Sequence, residues 1–133
     1  MVIDPSALLA ILQDEPERRA FNELIEAASQ RRLSTASFVE LSIVIEARLG
    51  AEGIRDLDLF LATAGIELVA FDMAQARLAR EGFRRFGKGR HPAGLNLGDC
   101  FSYALVRALD EPLLFKGDDF PLTDVNVAGS ITT

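Results

Sequence analysis

The chain holds a single cysteine, Cys100, a single histidine, His91, and no tryptophan. One thiol excludes an intrachain disulfide. One thiol with one imidazole makes a poor zinc site. A Cys–His nucleophile would need that pair, and nothing local brings the two together, so Cys100 reads as a small buried hydrophobe. No apolar run approaches membrane-spanning length. The opening residues Met1 to Asp4 lack a basic region and an apolar signal core, so a cytoplasmic protein is expected. A surplus of positive charge is missing too: 14 Lys and Arg stand against 20 Asp and Glu, for a net charge of -6. That balance argues against a general nucleic-acid binder. The charge is uneven, however. Arg80, Arg84, Arg85, Lys88, Arg90 and His91 share a stretch with one acid, Glu81.

Apolar residues are plentiful. They make up 49% of 133 residues, enough for a real core in one domain spanning 1–133. Val2-Ile3 reads as a short strand, followed by a helix over 7–12 with Pro5 at its entry. A second helix is expected over 17–31, then a brief strand over 33–35. A helix over 37–49 closes at Gly50, and another over 51–64 closes at Gly65. A strand over 66–71, a helix over 73–86, a Gly- and Pro-rich basic loop over 87–94 and a helix over 96–109 follow. A strand over 113–115 leads into a turn over 116–119, and 125–127 forms a last edge strand. No repeat, linker or low-complexity segment interrupts this order.

Short apolar strands alternating with helices indicate an α/β fold with a parallel sheet covered on both faces. Ligands then bind beyond the carboxyl ends of the strands. Asp4 ends the first strand, and Asp118-Asp119 follow the last. Glu40 and Asp99 stand near helix starts. Each acid has an adequate local reading: Ser37–Glu40 and Asn96–Asp99 as capping boxes, Asp4 as an N-cap, Asp119 as a turn residue. Jointly those readings weaken, because all four acids fall at the same edge of the sheet. Converging carboxylates repel unless a cation neutralises them. Hard oxygens suit Mg²⁺ or Mn²⁺, which take phosphate oxygens as further ligands and support phosphodiester hydrolysis.

Four stretches carry a family resemblance: MVIDPSALLAIL at the start, STASFVELSIVIEARLG, RFGKGRHPAGLNLGDCFSYALV, and PLLFKGDDFPLTDV near the end. Together they resemble the PIN-domain nucleases, specifically the VapC toxins of bacterial toxin–antitoxin pairs, over essentially the whole chain. The resemblance implies a PIN-like three-layer α/β/α sandwich with a central parallel sheet of four to five strands. It implies Mg²⁺- or Mn²⁺-dependent endoribonuclease action, often on tRNA or ribosomal RNA, inhibiting translation until a VapB-type antitoxin neutralises it, and it implies homodimers. By position Asp4, Glu40, Asp99 and Asp119 match the family's catalytic and metal-binding acids. Ser6 retains a small hydroxyl suited to orienting Asp4 or a metal water. Asp118 departs from the family's usual Asn and adds a charge of unassigned role. Pro5 departs from Thr or Ser and removes a backbone N–H.

Lys88, Arg90 and His91 precede Asp99 and are candidates for holding RNA phosphates, against the reading of a solvated loop. Asp72 follows a strand and opens a helix, so it reads as an N-cap outside the site. Phe101 and Tyr103 read as core, and Phe38, Leu41, Val44 and Ile45 as core or dimer surface. An aspartyl phosphatase would want an acid where Ser6 stands. A phospho-receiver domain would want an acidic pair where Pro5 follows Asp4. A non-catalytic RNA-binding or regulatory module is the remaining alternative, and four intact acids argue against it.

Overall fold

Val2 and Ile3 show how the sheet divides the core. They are adjacent in β1 (Val2–Ile3) and both fully buried, yet they point into different clusters. Successive strand residues face opposite sides of a sheet, so two buried neighbours require cover on both faces. Leu113 and Leu114 of β4 (Leu113–Leu114) divide in the same way. The computed structural model describes residues 1–129.

One cover is built from α1 (Pro5–Leu12), α2 (Arg18–Ala27) and α3 (Thr35–Thr63). Ala7, Leu8, Ile11, Phe21, Ile25, Leu41, Ile45 and Leu57 bury themselves there against Ile3, Leu33 and Leu114. The other is built from α4 (Met73–Phe86) and α5 (Leu97–Leu109), with Ala79, Phe86, Tyr103, Ala104 and Leu105 against Val2 and Leu113. Strands β2 (Arg32–Ser34) and β3 (Glu67–Val69) complete a four-stranded parallel sheet in the order β3-β2-β1-β4. Arg32 pairs with both Val2 and Glu67, and Val2 pairs with Leu113 on its other side.

The chain thus steps from β1 outward to β2 and β3, then crosses to the far side of β1 for β4. The strand order reverses between β1 and β4, the switch point at which open parallel sheets bind ligands. Asp4 leaves β1 there, and 118–119 follow β4.

The differences from the sequence reading are local. Helix α3 begins at Thr35, not at 37, because Ser34 is its N-cap and accepts the Ala36 N–H at 3.2 Å. The strand expected over 33–35 therefore gives up Thr35 to the helix. Gly50 leaves helical geometry at φ 68, ψ -158, so α3 is two helical segments joined at a kink. Gly65 follows the helix with φ 63, as a left-handed terminator does. The second helix is trimmed to Arg18–Ala27 and the third strand to Glu67–Val69. The edge strand over 125–127 is reduced to one parallel bridge between Val127 and Leu113. A short 3-10 helix (Phe120–Leu122) follows Asp119.

Candidate active site

Asp4 is only 5% exposed. It caps α1, accepting the Ser6 N–H at 3.0 Å through Oδ2. Pro5 occupies the first helical position, where no N–H is needed, so the proline costs the cap nothing. Oδ1 accepts the Ser102 hydroxyl at 2.5 Å. Burial pushes the Asp4 carboxyl above its ordinary range, while the bonds from Ser102 and Ser6 pull the other way. The Ser6 hydroxyl is itself tied down, accepting the Lys116 N–H at 2.9 Å. Lys116 pairs in turn with Glu15 and Glu17. The turn that carries Asp118 and Asp119 is thereby anchored to α1 and its following turn.

Asp99 sits in the first turn of α5. The capping box anticipated there is present: Asn96 Oδ1 accepts the Asp99 N–H at 2.9 Å, and Asp99 Oδ2 accepts the Asn96 N–H at 3.0 Å. Capping fixes the carboxylate without closing the site to it. Burial raises its pKa to about 6, the Asn96 bond opposes that, and the charges of Asp4 and Asp119 add to the rise.

Glu40 loses its alternative reading as a capping residue. It caps nothing, because α3 starts at Thr35 and Glu40 falls in the second turn. Among the described residues it accepts no hydrogen bond. Burial raises its carboxyl first, and the charges of Asp4 and Asp99 raise it further. Its oxygens lie against Gly98, where any side chain would overlap them. Gly98 is the residue that lets α5 approach α3 with a carboxylate between them.

Asp119 is exposed and starts the 3-10 helix; it belongs to the cluster through its charge on Asp99. Asp118 is exposed. Lys88 and Arg90 are exposed too, with the Arg90 guanidinium 5.6 Å from the Phe83 ring centroid. His91 packs edge-on against Phe86, and its Nδ1 accepts the Ala93 N–H at 3.0 Å, which shapes the loop. Asp72 caps α4 by accepting the Gln75 N–H at 2.9 Å, as anticipated. Asp124 is engaged elsewhere, with Arg85 and Arg107.

Comparison with known proteins decides the family. Residues 1–126 match the family model described as PIN domain. A curated relative, the ribonuclease VapC of Mycolicibacterium smegmatis, is 56% identical over 125 residues, covering 94% of this chain and 97% of that one. The chain belongs to the VapC ribonuclease family of PIN-domain proteins. Two solved structures share the fold of this VapC-family chain. Mycobacterium tuberculosis VapC20, described as a sarcin-ricin loop cleaving toxin, superposes with a TM-score of 0.75 at 13% identity, over 93% of this chain and 95% of that one. VapBC2 from Rickettsia felis, bound to a DNA fragment from its promoter, gives 0.75 at 12% identity, over 95% and 94%.

No three of the described His, Cys, Asp or Glu side chains form a group that could hold a metal ion as they stand. The donor chemistry nevertheless fits a hard divalent cation. All candidate ligands are carboxylates; burial raises the pKa of Asp4, Glu40 and Asp99, neighbouring carboxylates raise those of Glu40 and Asp99 further, and Glu40 accepts no hydrogen bond among the described residues. Mg²⁺ retains several waters and needs only one or two direct carboxylates, with others reached through water. Sequence reasoning missed Ser102 and Gly98 in this VapC-family site. Both lie on α5 within one turn of Asp99, and that spacing was the available signal.

Proposed function

We propose that the chain is a divalent-metal-dependent endoribonuclease, the toxin of a toxin–antitoxin pair, acting through Asp4, Glu40, Asp99 and Asp119. One observation carries the reading: carboxylates from β1, α3, α5 and the β4 turn, remote in sequence, act on one another electrostatically at the switch point of a VapC-family fold.

These four acids would hold one or two Mg²⁺ or Mn²⁺ ions. Such an ion, when bound, supplies a Lewis acid and an activated water for in-line attack on a phosphodiester. Asp4 is the fixed member, held by the Ser6 N–H and the Ser102 hydroxyl, so its oxygens need little reorganisation. Asp99 presents its second oxygen while the first stays in the cap. Glu40, which accepts no hydrogen bond among the described residues, adjusts between Asp4 and Asp99. Lys88 and Arg90 hold backbone phosphates of the incoming RNA, and His91 shapes their loop and offers its remaining nitrogen. The products carry a 5′-phosphate and a 3′-hydroxyl. The substrate is a single-stranded loop of tRNA or ribosomal RNA, where bases are accessible. A VapB-type antitoxin covers the site and sets a cationic side chain among the acids. The toxin acts in the cytoplasm as a homodimer.

The test is cleavage of total cellular RNA by the purified chain with Mg²⁺ or Mn²⁺, compared with EDTA and with Asp99→Asn. Discrete fragments that require both metal and Asp99 support the reading. Intact RNA under every condition, from a folded protein, overturns it.

A further inference from the structure

Asp119 is the one exposed member of the four acids. The others stand at or in α1, α3 and α5, while Asp119 precedes a 3-10 helix of three residues and makes no side-chain cap. Its charge nevertheless bears on Asp99, and like charges push the turn that carries it outward. Some other contact must hold that turn in.

The turn hangs between two anchors. Upstream, the Lys116 N–H donates to the Ser6 hydroxyl at 2.9 Å. Downstream, Asp124 Oδ2 accepts from three donors: Arg107 Nη1 at 3.1 Å, Arg85 Nη1 at 3.2 Å and the Tyr103 hydroxyl at 3.4 Å. Arg107 Nη1 also donates to the Tyr103 oxygen at 2.8 Å, which closes the set. Between the anchors Phe120, only 4% exposed, sinks into the same apolar cluster as Tyr103. A buried ring fixes depth but lets the chain pivot about it. Charge-assisted bonds from two helices to one carboxylate oxygen fix direction as well.

The spacing along α5 shows what the downstream anchor aligns. Asp99, Tyr103 and Arg107 are each four residues apart, so they run down one face of the helix over about 12 Å. The segment from 119 to 124 spans that stripe, with Asp119 acting on its acidic end and Asp124 bonded to its cationic end. Two arginines offset the charge of Asp124, so it adds little to the repulsion among the site acids.

We propose that Asp124 is a positioning residue for the acidic site: its clamp on Tyr103, Arg107 and Arg85 sets the direction of the chain from Asp119 and holds that carboxylate against Asp99. This rests on the proposed function only for the identity of the ion that Asp119 helps to bind. A cation binds best to carboxylates already in place. Without the clamp, part of its binding free energy goes into reordering the turn. Ion pairs exposed to this degree add little to stability, so the clamp shows in metal affinity and in the order of the turn more than in Tm.

The test is Mn²⁺ binding by the full chain, read from the electron paramagnetic resonance of the free ion, with Asp124→Ala, Asp119→Ala and the double variant. Asp124→Ala should weaken binding about three- to tenfold, less than loss of a partner that touches a ligand directly. In the Asp119→Ala background it should have no further effect, because the clamp acts through that carboxylate. Equal losses in both backgrounds, or no loss from Asp124→Ala, would overturn the proposal while leaving metal binding itself intact. Hydrogen exchange in the metal-free chain gives an independent reading. The Leu122 and Thr123 amides, which donate to the Asp119 and Phe120 carbonyls, should exchange faster in Asp124→Ala, and the Lys116 amide should not. Unchanged exchange at Leu122 and Thr123 would also overturn the clamp. Faster exchange there, in a chain that binds no Mn²⁺, would keep the clamp and remove the metal-dependent reading.

Discussion

The Ser102 hydroxyl donates a 2.5 Å hydrogen bond to Asp4 Oδ1, joining residues 98 positions apart at the switch point of the sheet. The bond favours the charged form against the larger opposing effect of burial and fixes the carboxylate's direction. Ser102→Ala should lower metal affinity or kcat by about 10- to 100-fold, the usual cost of losing a partner that orients a metal ligand. Ser102→Thr should restore much of it. Metal titration by calorimetry, alongside steady-state cleavage, checks both.

Gly98 separates activity from stability. A methyl there overlaps the Glu40 carboxylate, the far end of a flexible side chain, which can swing aside. Alanine also favours a helix over glycine by about 1 kcal/mol. Gly98→Ala should leave Tm unchanged or slightly raised and reduce cleavage at least about tenfold. Thermal melts and initial rates on the same preparation decide it.

Gly82 gives the opposite outcome. A methyl there would stand 2.5 Å from Cδ1 of Tyr103, a fully buried ring that cannot swing away. Gly82→Ala should cost about 1–3 kcal/mol through forced repacking of α4 against α5. Urea denaturation measures it, and any loss of cleavage should follow the loss of folded protein.

The raised acids set the pH dependence. Asp99 has a folded pKa of about 6 against an ordinary value of 3.8, and Asp4 and Glu40 shift the same way. Between those values the folded state binds more protons than the unfolded state. Stability without metal should therefore fall as pH rises from about 4 through 6 and level off above. Asp99→Asn should recover about 1–2 kcal/mol at pH 7, less than full burial would give because the group is partly exposed. Added Mg²⁺ or Mn²⁺ should reverse the trend by binding the charged forms. Cleavage should decline as pH drops through about 6. Melts across pH 4–8, with metal and with EDTA, test the first three statements, and initial cleavage rates over the same range test the fourth.

Lys88 and Arg90 are exposed on the loop before α5. Lys88→Ala and Arg90→Ala should each weaken RNA binding across sequences and reduce the salt slope of log K by about 0.7 for a single strand. His91→Ala should act on the loop instead, because its Nδ1 accepts the Ala93 N–H. It should therefore change loop protection in hydrogen exchange more than salt dependence.

The sequence by itself determined much of what closes within a turn or two of chain. The Asn96–Asp99 box, the Asp72 cap, the proline-started first helix and the glycine stops at Gly50 and Gly65 all depend on neighbours a few residues away. Alternating strands and helices were equally legible, because apolar periodicity records burial directly. The acids were legible through their strand-end positions and the family pattern. The capping-box alternative for Glu40 fails because Ser34 and Ser37 are both good caps, and only the packed backbone shows which one starts α3. Tertiary structure alone decided the strand order, and with it that Asp4 and the β4 turn share a switch point. It alone set Ser102 on Asp4 and Gly98 beneath Glu40. Those contacts join segments tens of residues apart, so they depend on which helices share a face of the sheet, a choice made by burial of the whole core and not by any local spacing.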